Sequence, residues 1–134
     1  MTDRELMQLA VQAREFSYSP YSSFRVGAAL LCKNGKVYGG ANIENAAYTP
    51  TNCAERTAIF KAVSEGEREF SAIAIVGGKD ADPAEFCAPC GVCRQVLAEF
   101  CDGDFRVLLG TPDNYRAYTL AELLPASFGK KDLK

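Results

Sequence analysis

The sequence contains no histidine in its 134 residues. Histidine is a frequent zinc ligand and the side chain most often used as a general base. Its absence therefore excludes a histidine metal ligand, a histidine base and any catalytic triad that needs one.

Long apolar runs and basic stripes are also missing. No run approaches the roughly 20 residues that a membrane-spanning helix needs, and the charged start at Asp3, Arg4 and Glu5 predicts that no signal peptide is present. The net charge is −2, and basic residues cluster only in the short tail at 130–134. Nucleic-acid binding needs a positive stripe that displaces counterions from phosphates. We therefore expect neither a nucleic acid nor a membrane as partner.

Composition is typical of one soluble globular domain. Hydrophobic residues make up 48% and charged residues 24% of the chain. A chain of this size buries roughly two thirds of its surface without disulfides. Six cysteines without a secretory signal indicate metal ligands and reduced thiols rather than bridges. We expect a single cytoplasmic domain over residues 1–134.

Helix and strand patterns alternate along the chain. The capping box Thr2-x-x-Glu5 begins a helix that ends before Pro20, and Asn34-Gly35 marks a hairpin turn. Further helices are predicted at 53–65, 91–101 and 119–125, and strands at 24–32, 36–43, 71–76, 105–109 and 115–118. This order predicts an α/β fold with three α/β/α layers around a central mixed sheet of about five strands.

Two cysteine motifs carry the candidate chemistry, Cys53-Ala54-Glu55 and Pro89-Cys90-Gly91-Val92-Cys93. Their three cysteines offer soft thiolate ligands to one zinc ion per chain. Zinc held by three protein ligands keeps a fourth position open for water, which separates catalytic from structural zinc sites. Glu55 stands two residues from a ligand, and we predict that it is the base that takes a proton from this water.

The surroundings of these cysteines suit metal binding. Cys53 and Cys90 fall at predicted helix N-termini, where the helix dipole favours thiolate over thiol. Cys93 lies three residues after Cys90 and shares its helix face. Three thiolates leave a zinc site with a formal charge of −1, which neighbouring arginines can offset by hydrogen bonds to sulfur. We assign this role to Arg56, whereas Arg94 fits a surface salt bridge equally well.

The pattern leaves other interpretations of these residues open. Asn52-x-x-Glu55 matches a capping box, in which Glu55 only caps its helix. The spacing Cys87-x-x-Cys90-x-x-Cys93 is also compatible with a four-cysteine structural zinc site or an iron–sulfur cluster. Because Cys87 precedes the predicted helix, we expect it not to bind the metal.

The cysteine–glutamate arrangement resembles that of the zinc nucleobase deaminases in their three-cysteine variant, a layout that is already known. The segments 24–30 (FRVGAAL) and 42–48 (NIENAAY), together with the cysteine motifs, resemble the small homotetrameric zinc-dependent cytidine deaminases. The similarity extends from the first helix to Leu123-Leu124-Pro125. The Asn-Ile-Glu-Asn segment indicates a free pyrimidine nucleoside as substrate.

The resemblance implies a reaction and a set of substrate-binding residues. Cytidine and 2′-deoxycytidine would be hydrolysed to uridine and 2′-deoxyuridine with release of ammonia, a reaction of pyrimidine salvage. Phe24 would pack against the pyrimidine, and Asn42 and Glu44 would bind the ribose. The other substrate-binding residues implied are Ala54, Tyr48 and Phe128, of which the last two would reach a neighbouring subunit's site. By pattern alone, Phe24 is a core residue, and Asn42 and Glu44 share one strand face as ordinary polar residues.

Rival functions belong to different classes. A deaminase of an antibiotic or modified cytosine nucleoside would need other sugar contacts than Asn-Ile-Glu-Asn provides. A polynucleotide editor would need a basic surface. A non-catalytic, zinc-stabilised interaction module would use four cysteine ligands. The loop from Gly77 to Pro89 is a few residues longer than is usual in such enzymes, and Cys87 within it is unexpected.

Overall fold

The computed structural model describes residues 1–79 and 86–133 of the chain. These residues form four α-helices and five strands, followed by a 3₁₀ turn at Lys130–Leu133. In chain order the elements are α1 (Asp3–Arg14), β1 (Arg25–Cys32), β2 (Val37–Ala41), α2 (Ala54–Ser64), β3 (Phe70–Gly78), α3 (Gly91–Phe100), β4 (Arg106–Thr111), β5 (Asn114–Thr119) and α4 (Leu120–Leu123).

The five strands form one mixed sheet in the order β2-β1-β3-β4-β5. β1 pairs antiparallel with β2 and β3, and β4 pairs antiparallel with β5. β3 and β4 are parallel, and the crossover that a parallel pair requires contains α3. β3 is buried along almost its whole length, as expected for a central strand that is covered on both faces.

Helices cover both faces of the sheet. On one face, α1 buries Leu6, Met7 and Ala10 against small strand residues such as Ala29 and Ala74. On the other face, α2 and α3 contribute to a larger core cluster with alternate residues of the strands. The core-forming strand residues on this second face include Val26, Ala28, Leu30, Ile73, Ile75, Val107 and Leu109. The predicted three-layer α/β/α architecture is confirmed.

Two glycines allow the helices to approach the sheet closely. A β-carbon on Gly27 would lie 2.2 Å from the carbonyl oxygen of Ala10 in α1. A β-carbon on Gly40 would lie 2.5 Å from the carbonyl oxygen of Ala54 in α2. Gly40 therefore allows the first turn of α2, which begins directly after Cys53, to pack against β2.

Local sequence signals explain where several elements begin and end. The predicted capping boxes form at Thr2 and Thr119, each with reciprocal side-chain and backbone hydrogen bonds. The hairpin turn between β1 and β2 places Gly35 at a φ of 93°, a conformation that glycine adopts without steric cost. These signals act within a few residues, which is why the sequence alone reveals them.

The predicted loop from Gly77 to Pro89 contains residues 80–85, which lie outside the described residues. Its unusual length therefore stays a prediction. Within residues 1–79 and 86–133, the helices are too short and too polar to cross a bilayer.

Candidate active site

Three cysteine thiols meet at the N-termini of α2 and α3. Cys53 is the N-cap of α2, and Cys90 is the N-cap of α3 with Cys93 in its first turn. The Sγ atoms of Cys53 and Cys90 are 3.7 Å apart, and those of Cys90 and Cys93 are 3.4 Å apart. All three sulfur atoms lie within 4.8 Å of one another.

These separations fit one zinc ion. Tetrahedral coordination with Zn–S bonds of about 2.3 Å places sulfur ligands about 3.8 Å apart. Cys87 does not belong to this group of thiols among the residues described. Its Cβ and Sγ instead pack over Gly77, where Phe24 also makes contact. Among the described residues, the group therefore offers three sulfur donors, as a three-ligand zinc site does, and no fourth sulfur joins it.

The thiols interact strongly with one another. A hydrogen bond from Cys93, with further ones from Arg56 and Cys90, lowers the pKa of Cys53 to about 5. The pKa of Cys93 is raised, first because of this hydrogen bond to Cys53 and then because of burial. Cys53 is therefore ionised first, and full ionisation of the group is linked to metal binding.

Arg56 contacts the sulfur atoms from within α2. Its Nη2 donates to Cys53 Sγ at 3.3 Å, and its pKa is raised by hydrogen bonds to Cys53 and to Cys93. The Nε atom of Arg56 is buried and has no hydrogen-bond partner within residues 1–79 and 86–133. A positive charge therefore lies directly against the thiol group.

Arg94 bonds backbone carbonyls in the part of the chain that the structure describes. Its Nε donates to the carbonyl oxygen of Pro89 at 2.8 Å, and its Nη1 donates to that of Leu123 at 2.7 Å. The guanidinium thus connects the start of α3 to α4. Within residues 1–79 and 86–133, Arg94 makes neither the suggested sulfur contact nor a salt bridge, and two of its five N–H groups donate to backbone carbonyls.

Glu55 is buried in the first turn of α2, with 4% of its surface exposed. Burial raises the pKa of this carboxyl to about 7, while hydrogen bonds with its own backbone N–H and with Cys93 act in the opposite direction. Asn52 donates its side-chain amide to Thr57 Oγ1 at 3.1 Å, and α2 has no side-chain cap. The capping-box alternative for Glu55 is therefore wrong.

The side chain of Asn42 makes most of its hydrogen bonds with other residues of the chain. Its Oδ1 accepts a hydrogen bond from Val26 N at 3.0 Å and contacts Ser17 Oγ. Its Nδ2 donates to the carbonyl oxygen of Phe24 at 2.8 Å. One N–H of this amide remains for a ligand, because these are the hydrogen bonds that Asn42 makes with the part of the chain described.

Glu44 is held by the loop before β1. Its Oε1 accepts from the backbone N–H groups of Tyr21 at 3.0 Å and Ser22 at 3.1 Å, and its Oε2 contacts Ser22 Oγ. Hydrogen bonds with Ser22 and Tyr21 lower the pKa of this carboxyl, with the Ser22 side chain as the largest cause. Glu44 therefore presents a fixed carboxylate at the surface.

Backbone pairing connects this region to the thiol group. Ile43 exchanges two hydrogen bonds of 2.9 Å with Asn52, the residue before Cys53. On its other side, the segment 42–44 pairs with Tyr18 through Tyr18 N to Asn42 O at 3.0 Å and Glu44 N to Tyr18 O at 2.8 Å. The backbone bridge between Ile43 and Asn52 thus connects the predicted ribose-binding residues to Cys53, the first of the predicted metal ligands.

The remaining predicted site residues differ in exposure. Phe24 is half-buried over Gly77, and Ala54 is fully buried in α2. Tyr48 is 74% exposed and Phe128 is 60% exposed. A cavity of about 410 Å³ is lined by Tyr21, Ser22, Glu44, Asn45, Tyr48 and Thr51.

Sequence reasoning did not find the residues that support these side chains. Ser17 and Ser22 contact Asn42 and Glu44 across more than 20 positions of sequence. Gln95 donates its side-chain amide to the carbonyl oxygen of Phe128 at 2.8 Å. Serine and glutamine in polar segments carry no signal for such distant partners.

Comparison with known proteins agrees with this arrangement. The family model for the cytidine and deoxycytidylate deaminase zinc-binding region matches residues 1–109. The chain is 54% identical over 133 residues to a cytidine deaminase of Halalkalibacterium halodurans, with 98% of each chain covered. It is 52% identical over 134 residues to a cytidine deaminase of Sporosarcina psychrophila, covering 99% of this chain and 96% of the relative. A solved cytidine deaminase from Burkholderia pseudomallei is similar at a TM-score of 0.88 and 46% identity, covering 96% of this chain and 100% of that one. The chain belongs to the cytidine and deoxycytidylate deaminase family.

Proposed function

We propose that this chain is a zinc-dependent cytidine deaminase that converts cytidine and 2′-deoxycytidine to uridine and 2′-deoxyuridine and releases ammonia. The observation that carries this proposal is the group of three thiols, Cys53, Cys90 and Cys93, with the buried carboxyl of Glu55 against it. The family of the chain and the names of its relatives support the same activity.

Cys53, Cys90 and Cys93 would hold the zinc ion, one per chain. When bound, zinc acidifies water and so supplies a nucleophile for hydrolysis near neutral pH. Three thiolates give the site an excess negative charge. The hydrogen bond from Arg56 to Cys53 offsets part of that charge and holds the ligand in place.

Glu55 carries the protons of the reaction. The water that adds to C4 of the cytosine ring gives a proton to Glu55, which delivers it to ring nitrogen N3. The same carboxyl then takes the proton of the new C4 hydroxyl and gives it to the amino group, which leaves as ammonia as the C4–N bond breaks and the C4 carbonyl of uridine forms. A single group can do this when it lies close to both the water and the ring, and Glu55 is buried beside the thiols, in contact with Cys93.

Recognition of the nucleoside uses residues around this centre. Phe24 forms a wall against the pyrimidine, and the buried Ala54 lines the same pocket. Glu44 has acceptor capacity beyond its contacts with the loop, and Asn42 has one N–H for a ribose hydroxyl. The sugar contacts orient the ring, so that binding energy away from C4 contributes to the rate.

The proposed assembly is a homotetramer of single-domain chains, each spanning residues 1–134, with shared active sites. Tyr48 and Phe128 are large, exposed side chains, as residues that enter a neighbouring subunit's site would be in the separate chain. We place the enzyme in the cytoplasm and in pyrimidine salvage. The partners are small nucleosides rather than nucleic acid or membrane, in keeping with a net charge of −2.

A substrate series tests this proposal. Purified protein with its zinc content measured is assayed for ammonia release from cytidine, deoxycytidine, cytosine, cytidine 5′-monophosphate and a cytosine-containing antibiotic. We expect turnover of the two nucleosides, with the base and the nucleotide as poor substrates. Turnover of the antibiotic alone would favour the modified-nucleoside alternative. Zinc-loaded protein without activity on any of the five would support the interaction-module alternative.

A further inference from the structure

Ser22 connects two residues that the proposed function assigns to the substrate. Its hydroxyl contacts Oε2 of Glu44 and accepts a hydrogen bond from Phe24 N at 3.0 Å. A hydroxyl has one hydrogen to donate and lone pairs to accept. It donates here to the carboxylate, which at neutral pH only accepts, and it accepts from the backbone amide.

The Ser22 contact with Glu44 has a second point of attachment. The backbone N–H of Ser22 donates to Oε1 of Glu44 at 3.1 Å, so one residue binds both oxygens of the carboxylate. Such two-point hydrogen bonding to a charged group fixes direction as well as distance. Glu44 therefore has little freedom to rotate away from the position that the loop gives it.

The backbone between Ser22 and Phe24 is held in an unfavourable conformation. Ser23 has a φ of 59°, which is uncommon for a residue other than glycine and persists only where the surroundings impose it. The hydrogen bonds of Ser22 with Glu44 and with Phe24 N lie on both sides of this position. The Ser22 hydroxyl thus stabilises the turn that precedes β1 and so fixes the position of Phe24, the residue before this strand.

We propose that Ser22 is a positioning residue for the deamination, whose hydroxyl fixes the carboxylate of Glu44 relative to the aromatic wall at Phe24. This inference rests on the proposed function, because it assigns Glu44 to the ribose and Phe24 to the pyrimidine. One hydroxyl then sets the spacing between the sugar contact and the base contact. Ser22 acts through these two residues and needs no contact with the substrate.

If Ser22 acts through Glu44, the effect of replacing Ser22 on activity should depend on whether Glu44 is present. Ser22→Ala should lower kcat/KM for cytidine on the order of tenfold, which is the size expected for loss of one hydrogen bond to a charged group. The loss should appear in kcat as well as in KM, since the ribose contacts both bind the nucleoside and orient its ring. In a Glu44→Ala background, Ser22→Ala should lower kcat/KM for cytidine by less than about twofold, because the effects of coupled residues are not additive.

Matched variants separate the hydroxyl from the shape of the side chain. Ser22→Thr and Ser22→Val have almost the same shape, but only threonine keeps the hydroxyl. We expect Ser22→Thr to retain most of the cytidine activity and Ser22→Val to behave like Ser22→Ala. This pair still tests the proposal if Ser22→Ala is unstable. Ser64→Ala is the control, since Ser64 lies at the end of α2 and bonds the carbonyl oxygen of Lys61 at 2.8 Å.

The experiment measures kcat and KM for cytidine in these variants, with zinc content and urea midpoints determined in parallel. Absence of cytidine turnover in the wild-type protein would contradict the proposed function itself. If the wild type is active, losses that add in Ser22→Ala/Glu44→Ala would overturn the positioning role. So would equal activities of Ser22→Thr and Ser22→Val. We expect activity to be lost in the Ser22 variants that lack the hydroxyl and kept in Ser22→Thr, with unchanged zinc content. The losses of Ser22→Ala and Glu44→Ala should not add in the double variant.

Discussion

Arg56, in the first turn of α2, donates a hydrogen bond from its Nη2 to Sγ of the N-cap residue Cys53 at 3.3 Å. The two residues are three positions apart, which places them on one face of α2. The buried Nε of the same guanidinium makes no hydrogen bond with residues 1–79 or 86–133. Arg56 is therefore held where its charge acts on sulfur.

Removing this charge should weaken zinc binding. We expect Arg56→Ala to lower zinc affinity by roughly 10–100-fold, the usual effect of losing a group that hydrogen-bonds a metal ligand. Competition with a chromophoric chelator measures the affinity. Arg68→Ala is the control, because Arg68 donates to the carbonyl oxygens of Val63 and Glu67. Equal affinities of the two variants would show that the Arg56–sulfur contact has no effect on the metal.

The identity of the zinc ligands can be tested by sulfur counting. X-ray absorption of the zinc-loaded protein should give three sulfur neighbours, and Cys87→Ser should leave this number and the zinc content unchanged. Cys90→Ala should lose zinc. Cys101→Ala is the control for removal of a thiol, since burial raises the pKa of Cys101 to about 12 and keeps it protonated. Four sulfur neighbours that become three in Cys87→Ser would contradict the open-site account.

Close helix packing gives a prediction about stability. Gly27→Ala places a β-carbon 2.2 Å from the carbonyl oxygen of Ala10, so α1 must shift. We expect a loss of about 1–3 kcal/mol in the free energy of unfolding, as for other overpacked cores. Gly129→Ala is the control, because no atom lies within 4 Å of its β-carbon position, and it should change stability by less than about 0.5 kcal/mol. Urea unfolding that does not distinguish the two would contradict the packing at Gly27.

The sequence predicted the features that depend on short-range rules. The capping boxes at Thr2 and Thr119, the turn at Gly35 and the helix-terminal positions of Cys53 and Cys90 all follow from residues a few positions apart. The fold class followed because the alternation of helix and strand periods admits few architectures.

Other features depend on which distant groups meet in space. Arg94 bonds two backbone carbonyls, one of them 29 positions away at Leu123, and nothing in its own segment indicates that partner. The same holds for Ser22 and Glu44, which are 22 positions apart. The resemblance predicts a ribose contact for Glu44, but the sequence does not indicate that Ser22 holds it, because hydroxyl groups in loops have many equivalent partners.

Shared active sites predict complementation between inactive chains. Phe128→Ala should impair activity with zinc content unchanged, whereas Glu55→Gln removes the proton carrier. Mixed oligomers of the two variants should recover part of the activity, since one chain supplies Phe128 and the other supplies Glu55. Mixing is verified by mass spectrometry of differently tagged chains. Verified mixed oligomers without recovered activity would count against a shared site.

The most direct test of the account is the turnover of cytidine by Glu55→Gln at full zinc occupancy. Glutamine preserves the shape of the buried side chain but cannot carry a proton. We predict unchanged zinc content and unfolding midpoint, with kcat lowered by at least about 10²-fold, the lower range for a general acid–base group. Near-wild-type turnover in the zinc-loaded variant would contradict the assignment of Glu55 and with it the proposed mechanism.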